Sequence, residues 1–187
     1  MKWIKHLITV LTHKYWVWYF GRRLGIGWQT FWHDMSKFSP AEFFESVKYY
    51  TGTGSPIDAC KKDKGYSMAW FHHRGRNPHH YEYWQDNFDN GGNPVKMPDK
   101  YRKEMLCDYL AAGRAYTGKS FTLHNEYAWW RGKREKPLAM HESTFKFIDD
   151  CMEFLNRGYG TLTLKAMKDS DWENIANEVD RLLKIYP

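Results

Sequence analysis

"MPDKYRKEMLCDYLAAGRAYTG", residues 97–118, decides the class of fold. Pro98 stands at its start and Gly118 at its end. Proline is preorganised for a first helical turn, and glycine, lacking Cβ, closes a last one. The stretch therefore predicts one helix. Asp108 lies inside it, and the small residues Ala111, Ala112 and Gly113 that follow allow a neighbouring helix to approach closely.

The same periodicity recurs outward from this helix. In "MKWIKHLITVLTHKYWVWYF", residues 1–20, Trp3, His6, Val10, His13 and Val17 are spaced by three and four, so His6 and His13 share an inward face. "GRRLGIG" (21–27) is expected to break that helix through its three glycines, with a second helix running from Trp28 through "TFWHDMSKF". "SPAEFFESVKYY" restarts a helix, with Ser39 as N-cap, Pro40 at the first position and Glu42 three residues after the cap. By composition, "TGTGSPIDACKKDKG" (51–65) and "DNGGNP" (89–94) read as loops. "YSMAWFHH" and "HHYEYWQDNF" read as two short helices bracketing "RGRNP", and two amphipathic helices are expected near 142–156 and 170–185. No strand pattern, repeat or low-complexity segment interrupts the series. The expected class is all-α: one bundle of six to eight helices over residues 1–187, with its functional core in about 1–120 and the helices of about 140–187 packed on it.

Composition narrows the function. Hydrophobic residues make up 42% and charged residues 27%, the balance of a folded soluble chain rather than a disordered one. Cys60, Cys107 and Cys151 are widely spaced and form no CxxC pair, which argues against a disulfide framework and a thiolate zinc site and fits a cytoplasmic setting. Lys2, Lys5, His6, His13 and Lys14 interrupt the apolar N-terminal run, so it reads as a buried helix rather than a signal or membrane segment. A net charge of +6 favours an anionic partner. Phosphorylated metabolites, nucleic acid and anionic lipid all fit that charge; the dispersed basic residues form no Lys/Arg block of the kind a nucleic-acid tail carries, and no membrane partner is expected.

Four of nine histidines crowd into "HHRGRNPHH", residues 72–80. Upstream, "WHDMSKFSP" carries His33 and Asp34 as neighbours. Adjacent helical residues diverge by about 100°, so both reach one metal only at a helix end or a distortion. Three helices and a histidine-rich connection can thus converge on one centre. Imidazole and carboxylate ligands without thiolate suit Mn, Co, Ni, Zn or Fe.

The order His … His-Asp … His … His-His … Asp resembles the HD-domain superfamily of helical metal-dependent phosphohydrolases. "THKYWVWYFGRRLGIGWQTFWHDMSKF" looks like that superfamily's opening, a His followed four residues on by Val and then an "HD-x-[GS]-K" turn. More narrowly, the chain from "HKYWV" to "MHESTF" resembles an uncharacterised family of small bacterial and phage proteins with the pattern "HDxSKFSPxEF … GYSxAWxHHxxRNxHHxEYW … EMxxDxxAAGxxYxGK". The resemblance implies a single HD-type helical domain and one or two divalent metal ions. The ligands would be His13, His33, Asp34, one or both of the His72/His73 and His79/His80 pairs (His73, His79 and His80 foremost) and Asp108. Lys37 would meet a substrate phosphate, and Arg74 and Arg76 would border the opening. His6 stays open as the alternative to His13, and Glu104, one turn before Asp108, as the alternative to Asp108. The implied activity is hydrolysis of a nucleotide or other small phosphoester. A di-iron oxygenase and a non-catalytic protein held together by metal are the alternatives.

Overall fold

The computed structural model describes residues 1–86, 89 and 91–187. Among them nine α-helices form and no strand; Gln85 and Pro94 make an isolated antiparallel bridge. The helices are α1 (Lys2–Arg23), α2 (Gly27–Phe31), α3 (Pro40–Tyr49), α4 (Pro56–Lys64), α5 (Met68–Arg74), α6 (Asp99–Thr117), α7 (Leu123–Arg134), α8 (Glu142–Tyr159) and α9 (Asp169–Ile185). The all-α class is as expected, with nine helices instead of six to eight. No helix among the described residues is long and apolar enough to cross a membrane.

Two helices account for the excess. The segment read as a loop at 51–65 contains α4, whose Lys-rich sequence has too few apolar residues to show a periodicity. Ser55 caps it by accepting from Asp58 N, and Gly65, at φ 81°, ends it. Helix α7 went unread for the same reason, since it buries only Leu123, Glu126 and Trp130. Conversely, "HHYEYWQDNF" forms a single 3-10 turn, Tyr81–Tyr83, and its Asn87 and Phe88 lie outside the described residues, as does Asn90 of the expected 89–94 loop.

The break after α1 is made differently from the three-glycine reading. Gly21 remains inside the helix, where a Cβ would strike the Thr30 side chain, so its role is to let α2 lie against α1. The turn itself is made by Gly25 at φ 75°. The inward face of α1 carries His6, Val10, His13, Val17, Phe20 and Gly21, whereas Trp3, grouped with it by spacing, is 47% exposed at the frayed start.

Helix α6 is central. Its most extensive packing is against α1, and residues from Glu104 to Ala111 are buried without interruption. One side meets an apolar core in which Val17, Phe20 and Leu24 of α1 pack with Met105, Leu106 and Leu110, Trp130 of α7, Phe147, Ile148 and Met152 of α8, and Trp172, Ile175 and Val179 of α9. The amphipathicity of α8 and α9 is what brings them onto this side. The fully buried Arg102 donates to the Tyr186 carbonyl at 2.6 Å and pairs with Asp99, tying the end of the chain to α6. The other side of α6 faces α1 and the turns that carry His33 and His79, and there the interior is polar.

Candidate metal centre

Helix α2 stops at Phe31 instead of running on through "HDMSKF". His33 and Asp34 sit in the turn that follows, and Asp34 has φ 56°, ψ 29°, the one positive φ of a non-glycine among the described residues. A left-handed aspartate carries a steric cost that persists only where its surroundings enforce it. Lys14 is one enforcer, donating to Phe31 O at 2.5 Å and His33 O at 2.8 Å. This kink is the distortion that lets adjacent side chains reach one point.

What they reach is a convergence of lone pairs. On one side of Asp34, Oδ2 lies 3.6 Å from His13 Nε2 and 3.1 Å from His33 Nε2, and Asp108 Oδ1 lies 3.0 Å and 3.4 Å from the same two nitrogens. On the other side, Oδ1 lies 3.3 Å from His73 Nε2 and 3.4 Å from His79 Nε2. The His80 ring lies tilted to His79 at 4.2 Å and edge-on to His73 at 4.8 Å, centroid to centroid. Two ligand sets that share Asp34 result, His13–His33–Asp34–Asp108 and Asp34–His73–His79–His80, and each could hold a metal ion, as could a third group, His33–His79–Glu104.

The donor atoms themselves test whether metal fits. His13 Nε2, His33 Nε2, His79 Nε2, His80 Nε2 and both Asp34 oxygens are buried without an aligned hydrogen bond, although Lys37 Nζ stands 2.5 Å from Asp34 Oδ2 as an ion pair. Buried polar atoms are rarely left so, and six aimed at one place are accounted for by cations. Charge agrees. Asp34, Asp108, Glu104 and Glu42 are all buried carboxylates, and Lys37 alone is not enough to balance them. Imidazole and carboxylate without sulfur match divalent first-row metals.

Carboxylates behind the rings fix the tautomers. Glu104 Oε1 accepts from His33 Nδ1 at 2.8 Å, and Glu42 Oε2 accepts from His73 Nδ1 at 2.7 Å. A carboxylate only accepts, so each ring keeps its proton on Nδ1 and presents the Nε2 lone pair to the cluster. Gln29 Nε2 donates to Glu104 Oε2 at 2.5 Å, and Asn77 Nδ2 donates to His73 O at 2.7 Å and Ser36 Oγ at 2.7 Å, holding the supports in turn.

Protonation follows the same geometry. Burial alone would raise Asp34, but His33, Lys37 and His73 hold its carboxyl well below the usual range; His13 and His33 do the same for Asp108. Glu104 is driven to about 2, against burial, by His33 and His79. His79 is pushed down by burial and by His33, and His80 further down by burial, His79 and His73, so both rings favour the neutral, ligating form. Burial also opposes charge on His33, yet Asp34 and the Asp108 and Glu104 carboxylates hold its pKa well above the usual value, so its Nε2 carries a proton that a metal ion would have to displace before the ring could ligate it.

The structure thus brings together His13, His33, Asp34, His73, His79, His80 and Asp108. Of the alternatives left open by sequence, His6 lies two turns from the cluster, and Glu104 supports His33 rather than replacing Asp108. His72 turns away, its Nδ1 donating to Glu42 Oε1 at 2.6 Å. Arg74 and Arg76 do not border the centre. They line a separate surface recess with Phe71 and Tyr83, because α5 continues to Arg74 and carries both past the rim. Glu42 and Asn77 are the supports that sequence reading missed. In sequence Glu42 reads as a capping-box acid and Asn77 as the break before Pro78, yet His73, 31 residues from the first and four from the second, claims both side chains.

The sequence pattern of the family of unknown function DUF5662 matches residues 2–153. The chain belongs to that family. The match takes in every residue of the centre and its supports, and ends within α8. No curated protein and no solved structure matches the chain.

Proposed function

We propose that this member of DUF5662 is a metal-dependent phosphohydrolase of the HD type, acting on a small phosphoester at a two-metal centre. The observation that carries the reading is Asp34, whose two oxygens face separate sets of unpartnered imidazole nitrogens while Lys37 pairs with it from the side of an adjoining cavity. A pair of divalent ions supplies Lewis acidity toward phosphoryl oxygens and lowers the pKa of a water near neutrality. The chain's part is to hold the site rigid and orient the ester. His13, His33, Asp34 and Asp108 would hold one ion and Asp34, His73, His79 and His80 the other. Lys37, the cationic side chain of the cavity lining, meets a non-bridging phosphoryl oxygen and offsets the charge gained as water adds to phosphorus and the ester P–O bond breaks. Products are phosphate and an alcohol.

The test is elemental analysis of the purified protein, followed by phosphate release from a panel of phosphoesters after loading with Mn2+, Co2+, Ni2+ or Zn2+. Expected are up to two metal equivalents and turnover that falls at least tenfold in Lys37→Ala with metal retained. Iron with oxygen consumption and no phosphate release would replace this reading by the oxygenase one.

A further inference from the structure

Beside the centre lies a cavity of about 190 Å3 whose lining includes His13, His73, His80, Asp108 and Lys37. We infer that it takes a compact phosphomonoester with a largely apolar body and a neutral hydrogen-bonding group at its far end, and that His6 reads that group. The inference rests on the phosphohydrolase reading and adds to it a substrate class and a specificity residue.

Size comes first. Sites for drug-sized ligands measure roughly 300–1,000 Å3, so this cavity is short of the space that base, sugar and phosphate of a nucleotide together require. Charge agrees, since Lys37 is the one Lys or Arg of the lining, enough for a single phosphoryl group but not a polyphosphate. The walls are chiefly apolar, with Val10, Pro56, Ile57, Trp70, Ala112 and Ala115 offering packing to an organic body, although Ser46, Ser55 and Tyr116 also line the cavity.

Length and far-end chemistry come from α1. His13 and His6 both line the cavity from one face of that helix, seven residues and hence about 10 Å apart. His13 marks the metal end, so His6 marks the other. The His6 ring is wedged against Phe43 and Tyr50, with centroids 5.4 Å and 5.3 Å away, and is 6% exposed. Its Nδ1 is buried with no partner. The nearby hydroxyls of Thr9 and Tyr50 are bonded to each other at 2.7 Å, and neither makes a hydrogen bond to it. Burial, and then Lys37, push the ring's pKa down to about 4, so it is a neutral imidazole at physiological pH. A neutral imidazole in a dry pocket is matched by a hydroxyl or amide. A second phosphate or a carboxylate buried there would have Lys37, already paired with Asp34, as the one Lys or Arg of the lining to offset it.

Binding and turnover are measured separately on the Mn2+-loaded protein. Titration calorimetry with butylphosphonate and 4-hydroxybutylphosphonate reads the pocket without chemistry, with AMP as competitor. Expected is about tenfold tighter binding of the hydroxylated ligand, AMP at least tenfold weaker than either, and loss of the hydroxyl preference in His6→Phe at unchanged metal content. His6→Gln, which keeps a hydrogen-bonding group, should retain part of the preference. In the unmutated protein, the 15N signals of His6 should shift with 4-hydroxybutylphosphonate and not with butylphosphonate. AMP binding as tightly, a preference surviving His6→Phe, or no binding of either phosphonate overturns the inference. Parallel turnover of the corresponding phosphates separates the two readings. Selective binding without phosphate release removes the phosphohydrolase and leaves the pocket, whereas release without His6-dependent selection does the reverse.

Discussion

Glu104 and Glu126 are buried almost equally, 5% and 6% exposed, and lie on helices that pack together. Glu104 has its pKa driven to about 2, while Glu126 has its own raised to about 8. Burial raises both. The difference is the company, since Glu104 receives His33 and His79, whereas Glu126 meets the cost of burial and the repulsion of Asp108 with no offsetting cation. The carboxyl of Glu126 fills the space left by Gly113, where any Cβ would collide with it. The two residues mark the two interiors of the molecule. One side of α6 is an apolar core that tolerates a carboxyl only as a neutral acid, and the other is a polar core built so that carboxylates stay charged.

The contrast breaks most sharply at Asp34. Asp34→Ala removes the ligand common to both sets, so bound transition metal should fall to background in elemental analysis while far-UV circular dichroism keeps most of the helical signal. Undiminished metal content would move the centre elsewhere. On the apolar side, Phe147 is fully buried, and Phe147→Ala should cost about 3–5 kcal/mol in denaturant unfolding and leave the metal stoichiometry unchanged. Metal loss in that variant would mean the two interiors are not independent.

Glu126 sharpens the comparison through pH. Its folded pKa of about 8 exceeds the ordinary 4.5, so between those values the unfolded chain releases a proton that the folded chain keeps. Stability from this group is therefore present below about pH 4.5 and is lost as pH rises toward 8, on the order of 5 kcal/mol over the window. Glu126→Gln should flatten that slope in urea titrations from pH 5 to 8; an unchanged slope would show that the carboxyl is not held neutral. The smallest effect is expected behind the ligands. Glu104→Gln keeps the shape but weakens the acceptor for His33 Nδ1, and should lower metal affinity about 10–100-fold in competition with a chelator, without changing the number of ions bound.

Legibility differed between the same two interiors. The helices that build the apolar core, α1, α6, α8 and α9, show their 3.6-residue repeats because each buries one apolar face. Helices α4 and α7 bury so little that composition hid them. For the centre, histidine and aspartate types and their order were readable, down to the need for a distortion at His33–Asp34. Which of His72 and His73 turns inward was not, because a 100° step per residue has no absolute origin until α5 is docked on α3.

By itself, then, the sequence determined an all-helical chain and a set of imidazoles and carboxylates without thiolates, since periodicity and ligand chemistry are local properties of residues. Only the tertiary structure decided that Asp34 stands between two candidate ligand sets, that Glu42 and Glu104 accept hydrogen bonds from His73 and His33, and that Arg74 and Arg76 line a separate recess. Those outcomes depend on a left-handed turn at Asp34 and on how helices distant in sequence pack, and directions in space are set by packing.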